Sequence, residues 1–152
     1  MTIEKHSHWP AAIRLMPEGL YEWSMPVTFS QGWTCGPIVF VGGQIATEDG
    51  KPGVAVAVGD IEEQTRIVFD NVTRVLDEAG TDWDHVVKIN TYYVFDGPED
   101  EATEFWEKMT RVRMQYLPDP GPCGTAVRVT GLAYPDLLIE VEVIAYDPSL
   151  MR

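Results

Sequence analysis

The chain has 152 residues, enough for one domain, and its 45% hydrophobic and 23% charged composition is globular rather than disordered. Eleven basic against 24 acidic side chains give a net charge of −13, a field that repels phosphate backbones and excludes nucleic acid as an expected partner. No apolar run reaches the roughly 18 to 20 residues of a membrane helix, and Met1–His6 lacks the basic-then-apolar order of a secretory signal, so a cytoplasmic protein with no membrane partner is expected.

Along the chain, residues 1–27 carry Pro10, Pro17 and Pro26 and read as an irregular N-terminal arm, with Tyr21 and Trp23 holding it against the rest. The domain proper is expected over 28–152. Ile38-Val39-Phe40-Val41 reads as a buried strand, and Gly42-Gly43 marks a bulge or a close backbone approach. Val54 to Val58 suggests a second strand. Asp60 is a helix N-cap, and Ile61, Thr65, Val68, Val72, Val75, Leu76 and Ala79 recur at helical spacing until Gly80 stops the helix. "VVKINTYYVF", 86–95, is β-branched and aromatic and reads as a long strand. Residues 99–116 present Ala102, Phe105, Trp106, Met109, Val112 and Tyr116 on one helical face. "LPDPGP" then breaks the pattern, and 125–130 and 137–146 read as strands, the last alternating Ile139, Val141 and Val143 with Glu140 and Glu142.

The order is therefore ββαβαββ: an α+β domain, one sheet with two helices on one face. The strands near 89–94 and 125–129 hold enough apolar residues that a wet second face would expose a patch, which predicts oligomerisation. Cys35 and Cys123 lack metal-ligand spacing and read as buried free thiols, while His6-Ser7-His8 reads as a chance pair, so no metal is expected.

Four stretches in order resemble the Rid (YjgF, endoribonuclease L-PSP) family. "VFVGGQIA" (39–46) resembles its "FVSGQIP" strand, and "DIEEQTRIVFDNVTRVLDEAG" (60–80) its "DIxxQTxxxxxNIxxxLxxAG" helix. "DWDHVVKINTYYV" (82–94) and "LIEVEVIAY" (138–146) resemble the following strand and the closing "VEIEAIA" strand. The resemblance implies a chorismate-mutase-like (YjgF-type) fold with a mixed sheet, assembled as a homotrimer with clefts between subunits. It also implies cofactor-free hydrolysis of small enamines or imines to ketone and ammonia. Such chemistry needs a grip on the substrate, a group that positions or deprotonates water, and a partly desolvated pocket.

Carried over residue by residue, the family's water-handling glutamate is Glu140. The carboxylate-gripping arginine of its "PARS" stretch falls on Gly124, within Pro122-Cys123-Gly124-Thr125. The serine of "SGQ" falls on Gly42, the family's "YS" on Phe29-Ser30, and a second-helix asparagine on Thr110. The expected catalytic residue is thus Glu140, with Phe29, Gly42, Thr110, Cys123, Gly124, Thr125 and Arg128 as ligand contacts. Gly124 also suits a left-handed turn residue, and its lack of a side chain deletes the family's cation. Arg128, Arg111 and Arg113 are possible substitutes, although an acidic partner would equally occupy Arg128. The alternative to a deaminase is a trimeric, non-catalytic small-molecule-binding or regulatory protein.

Overall fold

The structure, a computed structural model, describes residues 12–20, 25–51 and 53–151. The strands are β1 (Ala12–Leu15), β2 (Gly32–Cys35), β3 (Ile38–Ile45), β4 (Val86–Val94), β5 (Cys123–Val129) and β6 (Ile139–Tyr146), with α1 (Ile61–Ala79) between β3 and β4 and α2 (Ala102–Arg113) between β4 and β5. They form one six-stranded sheet in the order β1-β2-β3-β6-β4-β5. Every pairing is antiparallel except β4 with β5, which is parallel. A parallel pair needs a crossover, and α2 supplies it; α1 does the same from β3 across β6 to β4. Both crossovers step toward the β5 edge. With right-handed connections, both helices land on the same face.

That face holds the core. Ile139, Val141, Val143 and Ala145 of β6 are buried beneath Val68, Val72, Val75 and Leu76 of α1. α1 begins where Asp60 accepts from the Glu63 amide and ends at Gly80, which sits at φ 79°. Glu62 and Glu63 in its first turn suit the helix dipole. Gln64, wholly buried, donates from Nε2 to the carbonyls of Val56 (3.1 Å) and Asp136 (2.8 Å) and accepts from the Leu138 amide (2.8 Å).

The structure corrects four expectations. Residues 12–15, read as part of an irregular arm, add an edge strand to β2. Val54 to Val58 is no strand; it makes a single bridge, Thr47 with Ala55, because Gly50, Gly53, Ala57 and Gly59 all take positive φ. The element order thus has three strands before α1. The second helix opens with a 3-10 turn at Glu99–Glu101, and its α-helical part spans Ala102–Arg113. Cys35 and Cys123 are exposed, each near one end of the sheet on an outer or near-outer strand. Tyr21, Trp23, His6 and His8 lie outside the described residues. No helix among the described residues is long and apolar enough to cross a membrane.

Candidate functional site

Strand alternation puts Glu140 on the face of β6 opposite the helices. There β3 leaves its regular register between Val41 and Gln44, the bulge expected of Gly42-Gly43. The bulge brings the backbone onto the glutamate: a Cβ at Gly43 would lie 1.9 Å from Glu140 Oε1. Glu140 borders a cavity of about 230 Å³ with apolar walls from Leu20, Phe29 and Ala133 and polar atoms from Gln31, Gln44 and Asn71. Buried and part-buried hydrogen bonds fix the polar wall. Gln44 Nε2 donates to Gln31 Oε1 (2.9 Å) and to the Gly42 carbonyl (3.0 Å), and Asn71 Nδ2 donates to the Ile45 carbonyl (3.0 Å). Arg14 on β1 ties down the Phe29 side of the cavity by donating to Ser30 Oγ (2.9 Å) and to the Phe29 carbonyl.

The Glu140 carboxylate has no hydrogen bond or ion pair to any described residue. Burial pushes its pKa up, and the neighbouring Glu142 carboxylate pushes it further. Glu142 is held in a different way: its Oε1 accepts from Asn90 Nδ2 (2.8 Å) and Tyr92 Oη (3.3 Å). The same carboxylate raises the Tyr92 phenol pKa. Two carboxyls on one strand face therefore differ in their surroundings. One is tied to donors and the other stands loose, proton-retentive and facing a cavity, as a group that takes a proton from water must.

The remaining expected contacts do not converge on Glu140. Gly42 donates its amide to the Gln31 carbonyl (2.8 Å) and lines a neighbouring cavity, while Gly43 makes the close approach. Cys123 and Thr125 lie on β5 in register with Lys88 and Asn90, two strands from β6 and so roughly 10 Å away. The Cys123 thiol donates to the Val87 carbonyl (3.3 Å), a partner that cannot act as its base. Thr110 bonds the Trp106 carbonyl (2.9 Å) and lines a small cavity with Thr65, Phe69 and Arg113 on the helix-covered side. Arg128 stands beside Tyr93, which stacks on α2; its guanidinium is occupied by Glu99 (2.6 Å), the Phe95 carbonyl (2.7 Å) and the Phe95 ring. Arg111 pairs with Glu107 (3.7 Å).

Gly124 is no turn residue. It sits within β5 opposite Ile89, and a Cβ there would lie 2.6 Å from the Ile89 carbonyl oxygen. The backbone itself crowds out a side chain at the position where the resemblance expects an arginine. Gly43, Gln44 and Asn71 are the site residues that sequence reasoning missed; the Gly-Gly-Gln run signalled the first two, and the asparagine of the 60–80 helix motif the third.

A six-stranded mixed sheet with two crossover helices on one face is the α+β architecture of YjgF-type proteins. The endoribonuclease L-PSP family model matches residues 24–147, and the chain belongs to that family, also called Rid or YjgF. A RutC family protein of Pyrococcus abyssi is 38% identical over 118 residues, covering 78% of this chain and 85% of the relative. RutC family protein YjgH of Escherichia coli is 30% identical over 136 residues, 89% of this chain and 95% of the relative. Among solved structures, YyfA of Yersinia pestis, a Rid family protein of unknown function, is 27% identical with TM-score 0.70 over 90% of this chain and 99% of its own.

Proposed function

We propose that the protein is a cofactor-free hydrolytic deaminase acting on a small imine or enamine, with Glu140 handling water. The observation that carries this reading is the unpaired, half-buried Glu140 carboxylate at the edge of its cavity. In the reaction, water adds to the C=N carbon of the protonated imine while Glu140 takes a proton from the water, giving a neutral carbinolamine. The carboxyl then returns that proton to the carbinolamine nitrogen, the C–N bond breaks to release ammonia, and the hydroxyl proton passes to the Glu140 carboxylate as the C=O bond forms, leaving the ketone or aldehyde. The nucleophile is water and the leaving group ammonia, so the step balances without an oxidant or a second reactant.

The cavity narrows the substrate class. No lysine or arginine lines it among the described residues, and its walls are apolar and amide groups. A substrate carboxylate would face Glu140 without a counter-charge. A neutral imine, or a protonated iminium paired with the carboxylate, suits the site better.

We also propose that the working form is a homotrimer in the cytoplasm, with the β5 residues Cys123 and Thr125 of one copy closing the Glu140 cavity of another. Their separation from Glu140 within one chain supports a cleft shared between copies. The test is ammonia release from imines generated in situ, one carboxylated (2-iminopropionate) and several uncharged. Wild type should accelerate an uncharged imine most, and Glu140→Gln should lower that rate about 100-fold or more. If wild type matches Glu140→Gln and buffer on every imine, the deaminase reading fails. The absence of a cavity-facing cation would then favour a ligand-binding regulatory role.

A further inference from the structure

One apolar wall of the Glu140 cavity comes from a segment that the family match, residues 24–147, does not include. Pro17, Glu18, Gly19 and Leu20 form a tight turn. The Leu20 amide donates to the Pro17 carbonyl (3.4 Å), and Gly19 takes φ 73°, the left-handed value that a type II turn needs at its third residue. The turn carries the Leu20 side chain inward, where it is 2% exposed and borders the cavity of about 230 Å³ with Phe29. Helix α1 holds the turn in place. The Arg74 guanidinium donates to the Glu18 carbonyl (2.8 Å) and to both carboxylate oxygens of Asp49 (3.2 Å each). One helical turn further on, Glu78 Oε1 accepts from the Met16 amide (2.9 Å). Met16 Sδ in turn accepts from the amide of Gln31, a residue of the polar wall (3.3 Å). With Met16 and Glu18 both anchored to α1, Leu20 enters the cavity from a fixed point.

We infer that Leu20 is a specificity-determining residue of the Glu140 site and that Arg74 is the positioning residue acting through it. This rests on the deaminase reading above and deepens it: the imine carbon carries an apolar substituent whose size Leu20 limits. Glu140 fixes where that carbon lies, because its carboxylate must reach the attacking water. The amide nitrogens of Gln44 and Asn71 are already engaged with Gln31 and backbone carbonyls. An alkyl chain on the imine carbon is therefore directed to the apolar end, where burial against Leu20 and Phe29 favours it. Fit at such a wall is graded by volume, and one methylene more or less discriminates by roughly 10- to 200-fold. A leucine side chain is itself an isobutyl group, so trimming it to alanine opens space for an isobutyl group on the substrate.

The experiment compares kcat/KM for ammonia release, above buffer, from two uncharged imines generated in situ by an amine oxidase. The imine of ethylamine has a methyl on its C=N carbon, and that of isoamylamine an isobutyl. Leu20→Ala should raise the isobutyl-to-methyl ratio by about tenfold or more over wild type. Leu20→Val, a smaller change, replaces it if Leu20→Ala loses its far-ultraviolet circular dichroism, and should shift the ratio in the same direction. A Leu20 that only supports the fold would lower both rates together and leave the ratio alone. Arg74→Gln should raise the ratio in the wild-type background but not in the Leu20→Ala background, where the group it positions is gone. Glu140-dependent activity with a ratio that no Leu20 variant moves overturns the specificity assignment alone. An equal effect of Arg74→Gln in both backgrounds overturns the role of Arg74. Wild type that matches Glu140→Gln on both imines overturns the deaminase reading and the assignment with it.

Discussion

One methyl group separates glycine from alanine, and at position 43 the Glu140 carboxylate already occupies the place that methyl would take, 1.9 Å away. Gly43→Ala must therefore push the carboxylate aside or distort the bulge. If Glu140 handles water, misplacing it by an ångström should lower kcat/KM on the best imine substrate by about 10- to 100-fold, read by ammonia release. Binding of an unreactive analogue should weaken far less. The raised pKa of Glu140 makes a second, independent statement about stability. Burial is its first cause and Glu142 its second, so the native state holds the Glu140 proton more tightly than the unfolded chain, where 4.5 is the ordinary value. Stability then falls as pH rises above that value, because ionising the folded group costs more than ionising the unfolded one. Glu140→Gln removes the cost. It should raise Tm at pH 7 by about 1 to 2 °C, a figure kept small for partial solvent screening, with the gain vanishing near pH 4 in calorimetric scans. Lower Tm at pH 7 with the same activity would place Glu140 among structural residues instead.

At the scale of elements, α1 organises the loops that frame the sheet. Gln64 reaches from its first turn to the Val56 and Asp136 carbonyls and the Leu138 amide. The loops it ties contain non-glycine residues at positive φ, Ala57 at 50° and Asp136 at 65°, conformations that need support from outside. Gln64→Leu would keep the volume and strand these backbone groups without partners. A loss of about 3 kcal/mol, or roughly 6 to 12 °C in Tm, is expected from chemical and thermal unfolding. Helix α1 was readable in the sequence because its cap, period and stop residue all agree: Asp60, the stripe from Ile61 to Ala79, and Gly80. The stretch 54–58 was misread because its alternation of valine and alanine is compatible with a strand, while neighbouring glycines dictate a turn-rich loop. β1 was missed since four residues between prolines carry no period to detect. Strand parity placed Glu140 on the face away from the helices and the family resemblance singled it out, but the bulge that presses Gly43 onto it depends on β3 meeting β6. Contacts between distant segments leave no local mark. Gly124 invited a turn reading for the same reason: only the Ile89 carbonyl on β4 explains why no side chain fits there.

At the scale of the molecule, the family's endoribonuclease label and the chain's charge point in opposite directions. Cleaving a phosphodiester first requires holding a polyanion, and basic side chains ordinarily do that by releasing counterions. Here 24 acidic residues face 11 basic ones. Several of the cations are already committed: Arg14 to the Phe29–Ser30 segment, Arg74 to Asp49 and Glu18, Arg128 to Glu99. α2 and the turn before it add Glu99, Asp100, Glu101, Glu104 and Glu107. Self-assembly would multiply this charge rather than dilute it. The exposed Phe40 and Tyr146 offer stacking surface, but stacking without phosphate contacts gives little hold on a strand. Fluorescence anisotropy with a labelled single-stranded RNA at 150 mM salt should therefore show binding no tighter than about 10⁻⁴ M, with little change on lowering the salt. Micromolar binding with a steep salt dependence would mean that a basic surface forms only in the assembly, and the small-molecule reading of the Glu140 cavity would have to share the protein with an RNA-directed one.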